Sequence, residues 1–218
     1  MNKRPTGFGG VMPRFPWYVG LLLLLASPLA GQNLVTNGSF NNDDANWADP
    51  VPGNGTFVHD PTLDVNSSPA SGSGLMTNTI SSVVFGTISA RQCVAATAGQ
   101  QYYWGGSIRF PVSETTTGST SVNVLFFSMA SCVGGSEISG TTGTVRDPLI
   151  GDARGVWHTS NFGSIAGGFT APVGSLSVQV ILSMTKNEMA GTRSANFDGI
   201  FFAQVGTVPV ELVGFEID

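Results

Sequence analysis

From Ser175 to Met184 the chain alternates strictly: Leu176, Val178, Val180, Leu182 and Met184 fall on one side, and Ser177, Gln179, Ile181 and Ser183 on the other. A period of two belongs to an extended strand with one face buried and one face free for water or ligand. The same pattern recurs between breaks rich in Gly, Ser, Thr and Asn. Strands are expected at 55–59, 75–77, 83–94, 101–110, 119–131, 156–162, 175–185 and 194–203. Thr97-Ala98-Gly99, Thr116-Thr117-Gly118, Gly134-Gly135 and Pro172-Val173-Gly174 separate them. No stretch of ten or more residues carries a helical stripe. About eight strands so spaced predict an all-β fold, a two-sheet antiparallel β-sandwich of the jelly-roll kind.

Residues 1–31 read as a signal peptide. Lys3, Arg4 and Arg14 give a positive start, Trp17–Ala26 an apolar stretch, and Ala30 and Gly31 a small-residue junction. The apolar run is shorter than the ~20 residues that span a bilayer, so cleavage is expected rather than a retained anchor. Residues 32–205 then form the sandwich domain and 206–218 a tail or edge strand. The expected location is secreted: extracellular, periplasmic or at a bacterial cell surface. Removing the leader takes three of nine Lys/Arg and none of fourteen Asp/Glu, which leaves a net charge of about −8. Such an acidic domain with singly scattered cations is a poor partner for nucleic acid or an anionic membrane. Cys93 and Cys132 are the only cysteines, and an even pair in an oxidising compartment is most simply a disulfide.

Alternation also sorts the candidate ligand groups. Tyr102, Trp104, Ile108 and Phe110 share a face with the core, as do Val122, Val124 and Phe126. Trp47, Trp104 and Trp157 are expected in the core by size and apolarity. Tyr103, Arg109, Asn123, Phe127 and Gln179 fall on outward positions and combine aromatic rings with planar polar groups, the pairing a sugar requires. The alternative is an outer face covered by the 60–74 connection or by the tail. Catalysis finds little support. No G-x-S-x-G elbow or H-E-x-x-H helix occurs, and Glu114, Glu137, Asp147, Asp152 and Glu188 all fall in expected loops. A glycosidase needs two facing carboxylates.

Asn33-Leu34-Val35-Thr36-Asn37-Gly38-Ser39-Phe40 followed by Trp47 resembles the opening of the CenC-type carbohydrate-binding modules (families 4, 9 and 22). Gln92–Val94 leading into Ala98-Gly99-Gln100-Gln101-Tyr102 resembles an interior segment of those modules, and Ala195-Asn196-Phe197-Asp198-Gly199-Ile200 their closing strand. The chain is also similar to uncharacterised secreted bacterial proteins with paired cysteines and a Val-Pro-Val-Glu-Leu tail. The resemblance implies a galactose-binding-like jelly roll that holds a polysaccharide or oligosaccharide without catalysis. It also implies a structural calcium ion held by the Gly38 carbonyl, Asn41 and Asp198. Asn41 stands where those modules often have an acid, and Gly199 replaces a second aspartate, so a water-bridged loop is the alternative. Two further functions stay open. One is a structural or adhesive surface protein that self-associates through strand edges or the 208–218 tail. The other, weaker, is a small glycoside hydrolase.

Overall fold

The computed structural model describes residues 32–68, 71–162 and 168–205. The expected leader and the 206–218 tail, with its proposed self-association, lie outside the described residues.

Among the described residues, ten strands make two antiparallel sheets. They are β1 (Gly55–Asp60), β2 (Ser73–Asn78), β3 (Gly86–Ala95), β4 (Gln101–Arg109), β5 (Gly118–Phe127), β6 (Glu137–Thr142), β7 (Trp157–Phe162), β8 (Phe169–Thr170), β9 (Ser177–Lys186) and β10 (Arg193–Gln204). The first sheet runs β1-β2-β10-β4-β7, with β8 also paired to β4, and the second runs β3-β9-β5-β6. The expected two-layer β-sandwich is what forms, with no helix among the described residues.

The alternation drives the layering. Val178, Val180, Leu182 and Met184 of β9, Val122, Val124 and Phe126 of β5, and Tyr102, Trp104 and Ile108 of β4 all turn inward and are at most 3% exposed. Across the interface Phe126 meets Phe202 of β10 at 6.3 Å, and Tyr102 stacks on Phe202 at 4.6 Å. Trp104 is closed in by Phe202 and, edge-on, by Phe169 at 6.1 Å. Each such side chain contributes roughly 1.5–3 kcal/mol by leaving water. A second aromatic group, Phe40, Trp47 and Phe57, plugs the open side near the first strand.

One end of the sandwich buries charge. Lys186 continues the inward series of β9, fully buried, and its Nζ donates to the carbonyls of Gly191 and Met189. Arg193 is also fully buried. It donates to the carbonyls of Thr116 and Gly118 and lies 5.2 Å from the Phe110 ring centre. Glu114 accepts from the backbone N–H groups of Thr116 and Ser194. These groups bind the β4–β5 and β9–β10 connections to the sheets, since a buried charge is tolerated only when so partnered.

Three expectations need correction. Val83, Val84 and Phe85 precede the strand and form an exposed turn, and Leu176 also precedes its strand and is exposed. Trp157 is outside the core cluster: it pairs with Arg109 at the start of β7, on the outer face. β6 and β8 were not expected, because Glu137–Thr142 carries one large apolar side chain, Ile138, and no alternation, and β8 is only two residues long.

Candidate functional site

The outward-facing residues divide between two opposite surfaces. Tyr103 and Arg109 lie on β4, in the first sheet, whereas Asn123 and Phe127 lie on β5 and Gln179 on β9, in the second. The five therefore do not form one platform. Alternation separates inside from outside, but it does not say to which sheet a strand belongs.

The outer face of the first sheet is largely closed. Asp198 accepts the Val65 N–H at 2.8 Å, and Asn196 donates to Asp60 and Ser73, so the part of the connection around Asp60–Val65 lies over the middle of this face. Asn196 and Asp198 are each 1% exposed in consequence. Tyr103 packs with Phe201, Ala203 and Val205, and burial pushes its phenol above the ordinary tyrosine pKa. Arg109 donates through Nε to the Gly155 carbonyl at 3.1 Å.

The second sheet presents its outer residues in cross-strand rows. Cys93, Gln179, Leu125 and Gly140 form one, and Arg91, Ile181, Asn123 and Thr142 the next. Ser89, Ser183 and Ser121 follow, then Thr87, Thr185 and Ser119. Phe127 is on this side but 2% exposed, and Asn123 donates its amide to Ser183 Oγ at 3.1 Å. Neither is presented for a ligand.

A groove of about 450 Å3 follows the edge of this face along β3. Its floor is the outward set Thr87, Ser89, Arg91 and Cys93, with Gln179 alongside; residues 48–54 wall one side and Ser131 and Cys132 close one end. The wall is tied down by a two-way bridge, Ala48 N–H to Arg91 O at 2.7 Å and Arg91 N–H to Ala48 O at 3.1 Å. The end is tied down by the Cys93–Cys132 disulfide, which the structure contains as expected. Cys132 N–H also donates to Ser177 Oγ at 3.1 Å. Arg91 Nε donates to Ser89 Oγ at 2.9 Å, a contact between exposed side chains, and its terminal nitrogens have no protein partner among the described residues. The Gln179 side-chain amide has no protein partner among the described residues. Asp49 is the single carboxylate lining the groove. Of the five expected ligand residues, only Gln179 is here. Arg91 was legible as an outward β3 residue, but a lone strand arginine carries no signal of its own.

The expected calcium ligands are each hydrogen-bonded within the protein. The Gly38 carbonyl accepts the Ile200 N–H at 2.9 Å, and Asn41 Oδ1 accepts from Ser71 Oγ at 3.0 Å. Asp198 Oδ1 accepts from Gly199 N–H at 2.6 Å, and its Oδ2 holds Val65. The set has one formal charge and its oxygens are engaged by protein donors, whereas calcium takes 6–8 oxygen ligands. Among the described residues no three His, Cys, Asp or Glu side chains gather as a cation site. As placed, the donors do not fit a calcium ion. Adding EDTA is expected to leave the thermal midpoint unchanged; a fall of several degrees, reversed by calcium, would show a bound ion that these contacts do not suggest.

No protein-family model matches the chain, and no curated protein matches it in sequence. Solved structures do. A xylan-binding domain from carbohydrate-binding module family 22 superposes over 81% of this chain and 97% of its own, with a TM-score of 0.53 and 12% identity. The C-terminal family 22 module of Clostridium thermocellum Xyn10B covers 80% of this chain and 99% of its own, with a TM-score of 0.51 and 12% identity. This is the fold of a carbohydrate-binding module. It also occurs within larger proteins: the enzymatically active domain of bacteriophage CBA120 tailspike protein 4 matches with a TM-score of 0.54 and 12% identity, over 79% of this chain and 21% of that one. At these identities the module fold is what is shared; the groove along β3 is described from this chain's own residues.

Proposed function

We propose that this protein is a secreted, non-catalytic glycan-binding module and that the β3 groove holds the sugar. One observation carries the reading: an open groove on a carbohydrate-binding-module sandwich presents an exposed guanidinium, Arg91, and an amide without a protein partner among the described residues, Gln179. Planar donors and acceptors of this kind satisfy vicinal hydroxyls, and strand pairing sets the spacing of the backbones that carry them. Cross-strand register places Gln179 diagonally from Arg91, at a spacing of about 7–8 Å between Cα atoms, so both can serve one short segment of polymer. The lone lining carboxylate, Asp49, supports binding over hydrolysis, which requires a second carboxylate across the bond.

The test is a calorimetric screen of the protein against xylohexaose, cellohexaose, β-1,4-galactotriose and an oligogalacturonate. Gln179→Ala is expected to weaken binding of the preferred sugar about tenfold, the loss of one or two hydrogen bonds to a hydroxyl. No heat and no binding with any of the four would reject the reading.

A further inference from the structure

A sugar site of this design lacks one component. The residues that line the groove include no aromatic ring, yet the C–H face of a sugar is apolar and is held best against a flat, exposed ring. Among the described residues, Phe85 is the one aromatic side chain largely open to solvent, at 66%. It sits two residues before Thr87, the first β3 residue on the groove floor, and next to Gly86, where β3 begins.

Its backbone is as unusual as its exposure. Phe85 has φ 60°, in the left-handed region, which a bulky side chain enters only at a cost and which Asn or Gly enters with little. Packing among the described residues does not repay that cost, because the ring is not buried and belongs to neither core cluster. Thr87 Oγ1 donates to the Phe85 carbonyl at 3.4 Å and so ties the turn to the groove strand. An unfavourable backbone, held by its surroundings, that projects an apolar ring into water is the pattern of a residue retained for a ligand.

We infer that Phe85 is the stacking residue of the groove: its ring packs on the apolar face of one pyranose at the Thr87 end, while Arg91 and Gln179, roughly 20 and 26 Å further along the strand direction, meet hydroxyls of later units of the same oligosaccharide. This rests on the glycan reading above. It adds a constraint on the ligand, which must present a sugar face free of axial hydroxyls at the Thr87 end of the groove.

The experiment compares the full protein with its Phe85→Asn and Phe85→Trp variants, using the sugar preferred in the four-ligand screen. Phe85→Asn keeps the left-handed turn and removes the ring. Its affinity is expected to fall about tenfold or more, while its urea midpoint stays level or rises. Phe85→Trp is expected to bind within about threefold of the parent and to shift its tryptophan emission to the blue on addition of sugar. A parent and Phe85→Asn variant of equal affinity would overturn the role of Phe85 and leave the glycan reading intact. A parent that binds none of the four sugars would overturn both. A lowered midpoint in Phe85→Asn with unchanged affinity would make Phe85 a packing residue and also overturn the inference.

Discussion

Trp104→Ala is expected to destabilise the fold by about 3–5 kcal/mol, the range for removing a large aromatic side chain from a packed interior. The residue is 0% exposed, on the strand that pairs with β10, β7 and β8 alike, and its ring touches both Phe169 and Phe202. Those two rings also contact Phe126 of the opposite sheet, at 5.6 and 6.3 Å, so the cavity would open where the layers meet. Little can collapse into it, because the neighbouring rings are held by the same strands. Urea denaturation checks the value: the midpoint should fall with the slope unchanged. A loss below about 1 kcal/mol would mean that the two layers are less closely packed around Trp104 than described.

Replacing both Cys93 and Cys132 by serine is expected to cost about 4 kcal/mol, since the bridge closes a loop spanning 39 residues. The effect should reach the groove as well as the fold. Cys93 is on the floor strand and Cys132 on the connection that closes one end, so the bridge holds that end against the sheet. Sugar affinity should therefore fall at temperatures where the variant is still folded, as read by circular dichroism and calorimetry on the same sample. Unchanged affinity would place the sugar nearer the Thr87 end alone.

Both effects bear on what the amino-acid order reveals. The two-layer architecture, the inward set on β4, β5 and β9 and the cysteine pair were legible because each is local or counted: alternation needs only neighbouring residues, and two cysteines have one pairing. The site was not legible for a different reason. Tyr103 and Phe127 are outward by parity, yet both are buried, Tyr103 against the Phe201–Val205 end of β10. Parity also gave no sheet assignment, so Arg109 and Gln179 were grouped although they face away from each other. Lys186 shows the same limit from the other side. It sits on an inward position that composition assigns to water, and only the carbonyls of Met189 and Gly191 explain it. Phe85 was included in an expected strand, and its left-handed turn is what places it outside.

The clamp at the start of the described chain has a practical corollary. Asn33 donates to the Ile200 carbonyl and accepts the Phe202 N–H, while Leu34 pairs with Phe202, so residues 33 and 34 run beside β10 in the first sheet. Val205, at the far limit of the described fold, leaves from that same sheet. Both attachment points thus sit on the back of the molecule and the β3 groove on its front. A sensor chip or bead coupled directly at residue 33 or residue 205 would hold the protein with its proposed sugar-binding side facing the bulk solution.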